Sequence, residues 1–182
     1  VLIWISMIPT VCIGYTARRL VALTAVSKLV PGAGMLITGI ILLVIDLSRA
    51  GGKKTARDAS YSNAMWIGIC QGLAVFPGLS RSGMTISAGL MSGFSYSFAV
   101  KYSYIMSVPA IAGALIMELG QFGSADMTVG LGFTYILGMI ISGIVGCFTI
   151  RGLLKIVHKG RFRHFAVYCF VIGLLVLIMN FT

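Results

Sequence analysis

The sequence predicts an all-α polytopic membrane protein, a transmembrane helix bundle that includes a re-entrant helix pair. Of the 182 residues, 58% are hydrophobic and only 10% are charged, whereas soluble domains carry about 25% charged residues. Long apolar runs alternate with short polar stretches, as expected when helices cross a bilayer repeatedly. Two apolar runs, 61–76 and 84–94, are too short to cross and flank a polar turn. We therefore treat 1–182 as a single transmembrane domain.

The positions of the basic residues predict which loops face the cytoplasm. Fourteen Lys and Arg residues against four Asp and Glu give a formal net charge of +10. In a soluble protein this balance would suggest nucleic acid. Here the basic residues cluster between apolar runs, which is typical of cytoplasmic loops. We predict cytoplasmic basic loops at 46–60 and 151–164, and no nucleic-acid partner.

The first third of the chain predicts one incomplete and one complete apolar helix. Residues 1–15 are apolar but shorter than the roughly 20 residues of a full span. Residues 16–28 are interpreted as an interfacial connector, and a helix is expected from Pro31 to about Ile45. The chain opens inside an apolar run without an initiator Met, so we expect it to be N-terminally truncated.

The last half of the chain predicts three full spans. They cover 101–118, 127–150 and 165–181, with an outward-facing turn at 120–126. The second of these spans carries small residues four apart, which let helices approach closely. These residues are Gly138, Ser142 and Gly146.

The segment 61–94 is predicted to be a re-entrant helix–turn–helix. At 1.5 Å per residue its two arms reach about 16–24 Å, short of a hydrocarbon core of about 30 Å. Each arm carries a glycine pair, so we expect the arms to pack on each other or on a neighbouring span. The pairs are Gly68 with Gly72 and Gly89 with Gly93. Two complete spans would give the same loop orientation, so arm length rather than charge favours re-entry.

The turn between the arms predicts a phosphate site. Arg81 has apolar residues on both sides, and an arginine at membrane depth costs about 2.5–3.5 kcal/mol on insertion scales unless a polar or anionic group meets it. Its planar fork matches phosphate oxygens two at a time. Gly78 and Gly83 allow a tight turn, and a helix restarting near Met84 directs its first N–H groups at the turn. Hydroxyl donors come from Ser80, Ser82 and Thr85.

Two alternatives remain open at this turn. Arg81 could pair with a carboxylate or with backbone carbonyls and stabilise a kink. Gln71, six residues before Pro77, could orient a phosphate or a water molecule, or bond only to backbone. No carboxylate accompanies Arg81 in the neighbouring spans. Because phosphoryl transfer also needs a metal or further cations and a group that positions the nucleophile, the chain shows half of a site.

Two runs resemble the undecaprenyl-diphosphate phosphatases, the bacitracin-resistance family. The first is GICQGLAVFPGLSRSGMTIS at 68–87, which is similar to the second signature of that family. The second is FAVKYSYIMSVP at 98–109, similar to an aromatic-Ser-aromatic run that ends in Pro. The pair Ile8–Pro9 also fits an earlier segment of the family. The resemblance covers nearly the whole chain.

The resemblance implies hydrolysis of undecaprenyl diphosphate to the monophosphate carrier plus inorganic phosphate, which recycles the carrier for cell-wall synthesis and confers bacitracin resistance. It places the protein in the bacterial inner membrane, as a multi-pass protein whose active site opens to the outer face. It also implies an inverted repeat in which two re-entrant helix pairs meet, and the pair at 61–94 is one half of it. Ser80 and Arg81 would be catalytic. The substrate-binding residues would be Gln71, Gly78, Ser82, Gly83 and Thr85.

The first signature of the family, a glutamate-rich segment ending in Ser-Ser-Thr-Gly-His, has no counterpart here. The chain therefore resembles the C-terminal two-thirds of such a protein, and alone it is expected to be inactive. A divalent cation, Mg²⁺ or Ca²⁺, would take its ligands from the missing N-terminal part. No metal ligands are assigned within 1–182.

Other functions fit the same residues. Re-entrant pairs and midplane cations also build carriers, so a transporter or flippase-like binder of an anionic lipid headgroup is the main alternative. A structural or regulatory fragment that binds a partner subunit is the third. The expected partners are the polyprenyl diphosphate substrate and membrane lipids, and homo-oligomerisation stays open.

Overall fold

The structure is a computed structural model that describes residues 1–25, 27, 29–122, 129–157 and 162–181. Within these ranges the chain forms seven α-helices and no named strand, which confirms the predicted all-α class. The helices are α1 (Leu2–Ala25), α2 (Leu29–Leu47), α3 (Tyr61–Leu73), α4 (Arg81–Met91), α5 (Tyr96–Phe122), α6 (Val129–Val157) and α7 (Arg163–Phe181).

Three helices of the described chain are long and apolar enough to cross a membrane. The qualifying stretches are Leu29–Leu47, Tyr96–Ile116 and Leu131–Gly152. Large apolar side chains are exposed along α6 and on the second half of α5, among them Ile116 at 70% and Met139 at 73%. Because a soluble protein would bury such surfaces, the exposed faces fit a lipid environment.

Two boundaries differ from the sequence-based expectation. The predicted connector at 16–28 is helical as far as Ala25. Within it, Thr16 and Thr24 donate their hydroxyls to carbonyls of their own helix. Such back-bonding satisfies a polar side chain without interrupting the helix. The predicted basic loop at 151–164 is helical up to Val157. Residues 158–161 of that loop, and most of the predicted turn at 120–126, lie outside the part of the chain that the structure describes.

The helix after the polar turn begins at Arg81 rather than near Met84 as expected. Ser80 is its N-cap, with an extended backbone at φ −71° and ψ 113°, and its Oγ accepts a hydrogen bond from the Gly83 N–H at 3.2 Å. Serine is among the preferred N-cap residues for this reason. The start of α4 therefore lies inside the Ser-Arg-Ser sequence.

Backbone hydrogen bonds hold both ends of the α3–α4 hairpin at one end of the bundle. The Lys54 N–H donates to the Gly93 carbonyl at 3.1 Å, and the Ser95 N–H donates to the Lys54 carbonyl at 3.0 Å. The loop that leads into α3 is thus bonded to the turn that follows α4. The hairpin enters and leaves at the same end.

The second basic segment meets the same end of the bundle through α7. Asp46 Oδ1, in the last turn of α2, accepts a hydrogen bond from the Phe162 N–H at 2.9 Å. Phe162 immediately precedes α7 and is 97% buried. The contact places the start of α7 beside the 46–60 loop, which agrees with the predicted common side of the two basic segments.

Glycines mark the close contacts between helices. A Cβ on Gly68 would meet the Ser6 carbonyl and Pro9 of α1, and one on Gly72 would meet Ile13 of α1. The glycines of α3 therefore pack on a neighbouring span and not on α4. On α4, Gly89 packs against Ala99 of α5.

The predicted packing stripe on α6 behaves differently. A Cβ added at Gly138 or at Gly146 would have no atom of the described chain within 4 Å. No residue of the window 131–152 is buried. This stripe has no packing partner within the described ranges.

Candidate functional site

The polar turn with the first residues of α4, hereafter the tip (residues 76–83), packs against the first half of α2. Gly78 has φ +86° and approaches Pro31 so closely that a Cβ would overlap the Pro31 backbone. A Cβ on Gly34 would lie 2.8 Å from the carbonyl carbon of Gly78. The close contacts require glycine at both positions. At Gly78 the left-handed backbone conformation is a second reason for glycine.

This contact sets how far the tip reaches. Gly34 precedes the end of α2 at Leu47 by 13 residues, which corresponds to about 20 Å along the helix axis. The full 19 residues of α2 span about 28 Å. Gly34 is five residues, about 8 Å, from the other end of α2 at Leu29, and Pro31 is closer still, so the tip reaches most of the way along a helix that is long enough to cross a membrane.

Thr38 of α2 holds the tip from behind. Its side chain is 2% exposed, and its Oγ1 donates to the Gly34 carbonyl at 3.0 Å and accepts from the Ser80 N–H at 3.1 Å. The Gly78 carbonyl lies 3.4 Å from the same oxygen. One buried hydroxyl thus bonds α2 to the Ser80 end of the turn and lies beside its Gly78 end.

Ser80 and Ser82 form the hydroxyl edge of the site. Ser80 Oγ accepts from the Gly83 N–H, and Ser82 Oγ lies 3.5 Å away from it. Ser80 is half-buried and Ser82 is exposed. Because the Gly83 bond uses Ser80 Oγ as an acceptor, the proton of the Ser80 hydroxyl remains available to a ligand.

Arg81 lies between these hydroxyls and is exposed. Its guanidinium makes no hydrogen bond or ion pair with the part of the chain that the structure describes. The expectation that a carboxylate or a backbone carbonyl neutralises Arg81 therefore finds no support among these residues. The amides of Arg81 and Ser82 lie in the first turn of α4, where N–H groups have no intrahelical acceptor.

Thr85 lies beneath the tip rather than at its surface. It is 2% exposed, and its hydroxyl donates to the Arg81 carbonyl at 2.9 Å. Its Oγ1 also lies 2.6 Å from Ser103 Oγ of α5. Either hydroxyl can be the donor of this shorter bond. In this geometry Thr85 supports the first turn of α4 from inside the bundle.

Gln71 is not brought to the tip. It is 3% exposed on the face of α3 that packs on α1, and its Nε2 lies 3.9 Å from Met7 Sδ. Its Oε1 has no hydrogen-bond partner among the described residues. Of the seven predicted site residues, the structure gathers Gly78, Ser80, Arg81, Ser82 and Gly83 at the tip, with Thr85 one turn below.

Sequence reasoning missed Thr38 and Ser103. Thr38 stands in an apolar helix that carried no motif, and nothing in its immediate neighbours signals a partner 42 residues away. Ser103 did carry a signal, because it lies within the Tyr102–Tyr104 run that resembles the family. Its bond to Thr85 could be recognised only once α4 and α5 were seen side by side.

The chemistry of the tip suits an anion. Its donors are hydroxyls, first-turn amides and a guanidinium, which bind phosphate oxygens and repel a cation. Among the residues described, no three His, Cys, Asp or Glu side chains lie close enough to share a metal ion. The residues at the tip do not fit the divalent cation that the resemblance implies.

The described Asp side chains are occupied elsewhere. Asp46 caps α7 at the opposite end of α2 from the tip contact. Asp58, in the 46–60 loop, accepts from the Thr55 N–H and hydroxyl, both at 2.9 Å. The Thr55 amide, followed by its hydroxyl, lowers the pKa of Asp58 below its ordinary value. Neither carboxylate is placed to act at the tip.

A family model and individual relatives assign the chain to the same family. Residues 1–175 match the family described as bacitracin resistance protein BacA. A relative from Desulforapulum autotrophicum, named undecaprenyl-diphosphatase, is 42% identical over all of this chain and 64% of its own length. A relative of the same name from Halothermothrix orenii is 35% identical over 98% of this chain and 69% of its own length.

A third relative, from Methanosphaera stadtmanae, also carries the name undecaprenyl-diphosphatase and is 34% identical over 98% of this chain and 63% of its own length. The chain thus spans about two thirds of the length of the relatives that it matches. Within that span the match includes the tip and every helix that supports it. This chain belongs to the bacitracin resistance protein BacA family.

Proposed function

We propose that the full-length protein hydrolyses undecaprenyl diphosphate to undecaprenyl phosphate and inorganic phosphate, and that the tip binds the diphosphate. The observation that carries this proposal is the state of Arg81. It is exposed, it has no partner within the described chain, and hydroxyls and first-turn amides surround it. Such a charge is costly in a membrane protein unless an anion meets it.

Each group at the tip has a distinct part in binding the diphosphate. The Arg81 guanidinium donates two parallel hydrogen bonds to one phosphoryl group. The amides of Arg81 and Ser82 add donors at the positive end of α4. The Ser80 hydroxyl, whose acceptor side is used by Gly83, donates to a further oxygen. Donors fixed before the reaction stabilise the charge that develops on phosphorus oxygens.

We further propose that the α3–α4 hairpin enters the inner membrane from the cytoplasmic side and that its tip faces a cavity open to the outside. Two facts support this orientation. The basic segments before α3 and α7 share one end of the bundle, which the positive-inside rule assigns to the cytoplasm. The tip packs about 20 Å along α2 from that end, at the level of Gly34. A lipid headgroup held there keeps its isoprenoid tail within the bilayer.

The group that activates the nucleophile, in this proposal, comes from the part of the relatives' length that this chain does not span. The support for it is local. Asp46 and Asp58, the carboxylates whose side chains the structure describes, lie at the cytoplasmic end and have other partners. A carboxylate brought against Ser80 and Arg81 would complete the site with a general acid or base.

The proposal is tested with Arg81→Ala in the full-length protein, reconstituted with undecaprenyl diphosphate. Removing a preorganised charged donor is expected to lower the rate of phosphate release by about a hundredfold to a thousandfold. Arg57→Ala is the matched control, since Arg57 is an exposed arginine of the 46–60 loop. It should release phosphate at the wild-type rate.

The outcomes of these experiments distinguish a hydrolase from a transporter. Phosphate release at the wild-type rate by Arg81→Ala would refute the hydrolase assignment for this site. Movement of the lipid headgroup across the membrane without phosphate release by the wild-type protein would support the transporter alternative instead.

A further inference from the structure

We propose that Thr38 is a positioning residue for the diphosphate site, acting through Ser80. Its hydroxyl is the one side-chain group of the described chain that hydrogen-bonds the Ser80 backbone. Thr38 lies on α2, behind the tip, and does not reach its exposed side. For its catalytic readout the inference rests on the proposed hydrolase function.

The bonding pattern of Thr38 fixes the hydroxyl in direction as well as in place. Its proton has two acceptor carbonyls within reach, and the Gly34 carbonyl, four residues earlier on the same helix, is nearer at 3.0 Å than the Gly78 carbonyl at 3.4 Å. With the proton donated to a carbonyl, the oxygen lone pairs are directed at the Ser80 N–H. A rotation of the side chain would break both bonds together. Ser80 is therefore attached to a rigid point on α2.

The consequences pass from Ser80 to the anion donors. The extended backbone of Ser80 lets its Oγ cap α4 at the Gly83 N–H. The cap determines where the helix starts, and thus where the amides of Arg81 and Ser82 are directed. If the Ser80 N–H lost its acceptor, the N-cap geometry and the first turn of α4 would be free to shift.

Close packing around Thr38 leaves no room for another side chain to take over its bond to Ser80. A Cβ added at Gly83 would lie 3.4 Å from Thr38 Cγ2, so the threonine methyl packs against the first turn of α4. The Gly34–Gly78 contact excludes side chains from the space on the other side of the hydroxyl. Thr38 thus contributes a methyl contact and a hydroxyl bond that substitution can separate.

Two substitutions in the full-length protein separate these contributions. Thr38→Val keeps the methyl packing and removes the hydroxyl, whereas Thr38→Ser keeps the hydroxyl and removes the methyl. Ser6→Ala is the control for loss of a buried hydroxyl elsewhere. Ser6 is fully buried and bonds Tyr102 OH in the α1–α5 contact, away from the tip.

The first measurement is hydrogen exchange at the Ser80 amide, followed in peptides that cover 76–83. Thr38→Val should exchange at least tenfold faster than wild type, because the amide loses its acceptor. Thr38→Ser and Ser6→Ala should exchange as wild type does. An unchanged rate in Thr38→Val overturns the inference, whatever the protein's activity.

The second measurement is the Kd for methylenediphosphonate, a diphosphate analogue that cannot be hydrolysed, by titration calorimetry. A fall in the folded fraction raises the apparent Kd in proportion, so the thermal midpoint of each variant is measured alongside and the titration is run well below it. We expect Thr38→Val to raise the Kd about tenfold and kcat to fall about tenfold to a hundredfold, the scale of a small misplacement of catalytic groups. Thr38→Ser should restore both values.

The two proposals fail in different ways. If the wild-type protein binds methylenediphosphonate in a Thr38-dependent way but releases no phosphate from the lipid, the hydrolase proposal fails and the role of Thr38 stands. A wild-type Kd in Thr38→Val, or no binding of the analogue by the wild-type protein, overturns the role of Thr38.

Discussion

Gly34 of α2 and Gly78 of the tip meet without a side chain between them. A Cβ on Gly34 would lie 2.8 Å from the Gly78 carbonyl carbon and 2.5 Å from the Pro77 carbonyl oxygen. Both neighbours are backbone atoms, which cannot rotate away as a side chain would. The position of the tip along α2 therefore depends on the absence of one methyl group.

Gly34→Ala should displace the tip. Overpacking of a close contact costs about 1–3 kcal/mol, and a shift of the tip by about 1 Å would lower turnover about a hundredfold. Phosphate release and the thermal midpoint of the full-length protein in detergent measure both effects.

The matched control for Gly34→Ala is Gly138→Ala. Both substitutions add one methyl to a helix, but a Cβ at Gly138 has no atom of the described chain within 4 Å. It should leave turnover at the wild-type value. If Gly34→Ala also turned over at that rate, the close contact would not determine the position of the tip.

The α1–α3 contact provides a prediction about stability alone. Gly68→Ala would drive a methyl into the Ser6 carbonyl and Pro9 Cγ of α1, and should lower the free energy of unfolding by about 1–3 kcal/mol. Gly14→Ala is the control on the same interface, since its Cβ would lie 3.5 Å from Val75 Cγ2, an ordinary contact. Equal thermal midpoints for the two variants would contradict this packing.

The bond between Asp46 and Phe162 predicts a specific role for the carboxylate at the end of α2. Asp46→Ala removes the acceptor of the Phe162 N–H at the start of α7, and loss of such a cap costs about 0.5–2 kcal/mol. Asp46→Asn retains an acceptor oxygen and should retain most of the stability. Thermal unfolding of the two variants measures the difference. A larger loss in Asp46→Asn than in Asp46→Ala would show that the side chain does not cap α7.

Much of the site was readable from the chain because its groups are neighbours in sequence. Gly78, Ser80, Arg81 and Ser82 lie within five residues, so any turn that exposes one of them brings the others near. The proposal of an anionic ligand follows from these residue types alone. The predicted start of α4 was three residues too late, because Ser80 was interpreted as a loop residue and not as the N-cap of the helix.

Gln71 illustrates the limit of that reasoning. It is close to the tip in sequence, but a helix turns by about 100° per residue, and its side chain faces α1 beside Met7. Only the packing partner of α3 decides which face of that helix is turned away from the site. Along a helix, sequence distance predicts how far a residue lies from the tip along the axis, but not which way its side chain points.

The sequence by itself determined the membrane class and the common side of the basic segments, and it predicted the anion-binding chemistry around Arg81. These properties follow from composition, from the clustering of charges and from local motifs, none of which depends on contacts between distant residues. The tertiary structure alone decided that Thr38 holds Ser80, that Ser103 bonds Thr85 and that Gly34 fixes how far the tip reaches. Those relationships join residues 18 to 44 positions apart, and they exist only because packed helices bring distant backbone and hydroxyl groups within hydrogen-bonding or contact distance.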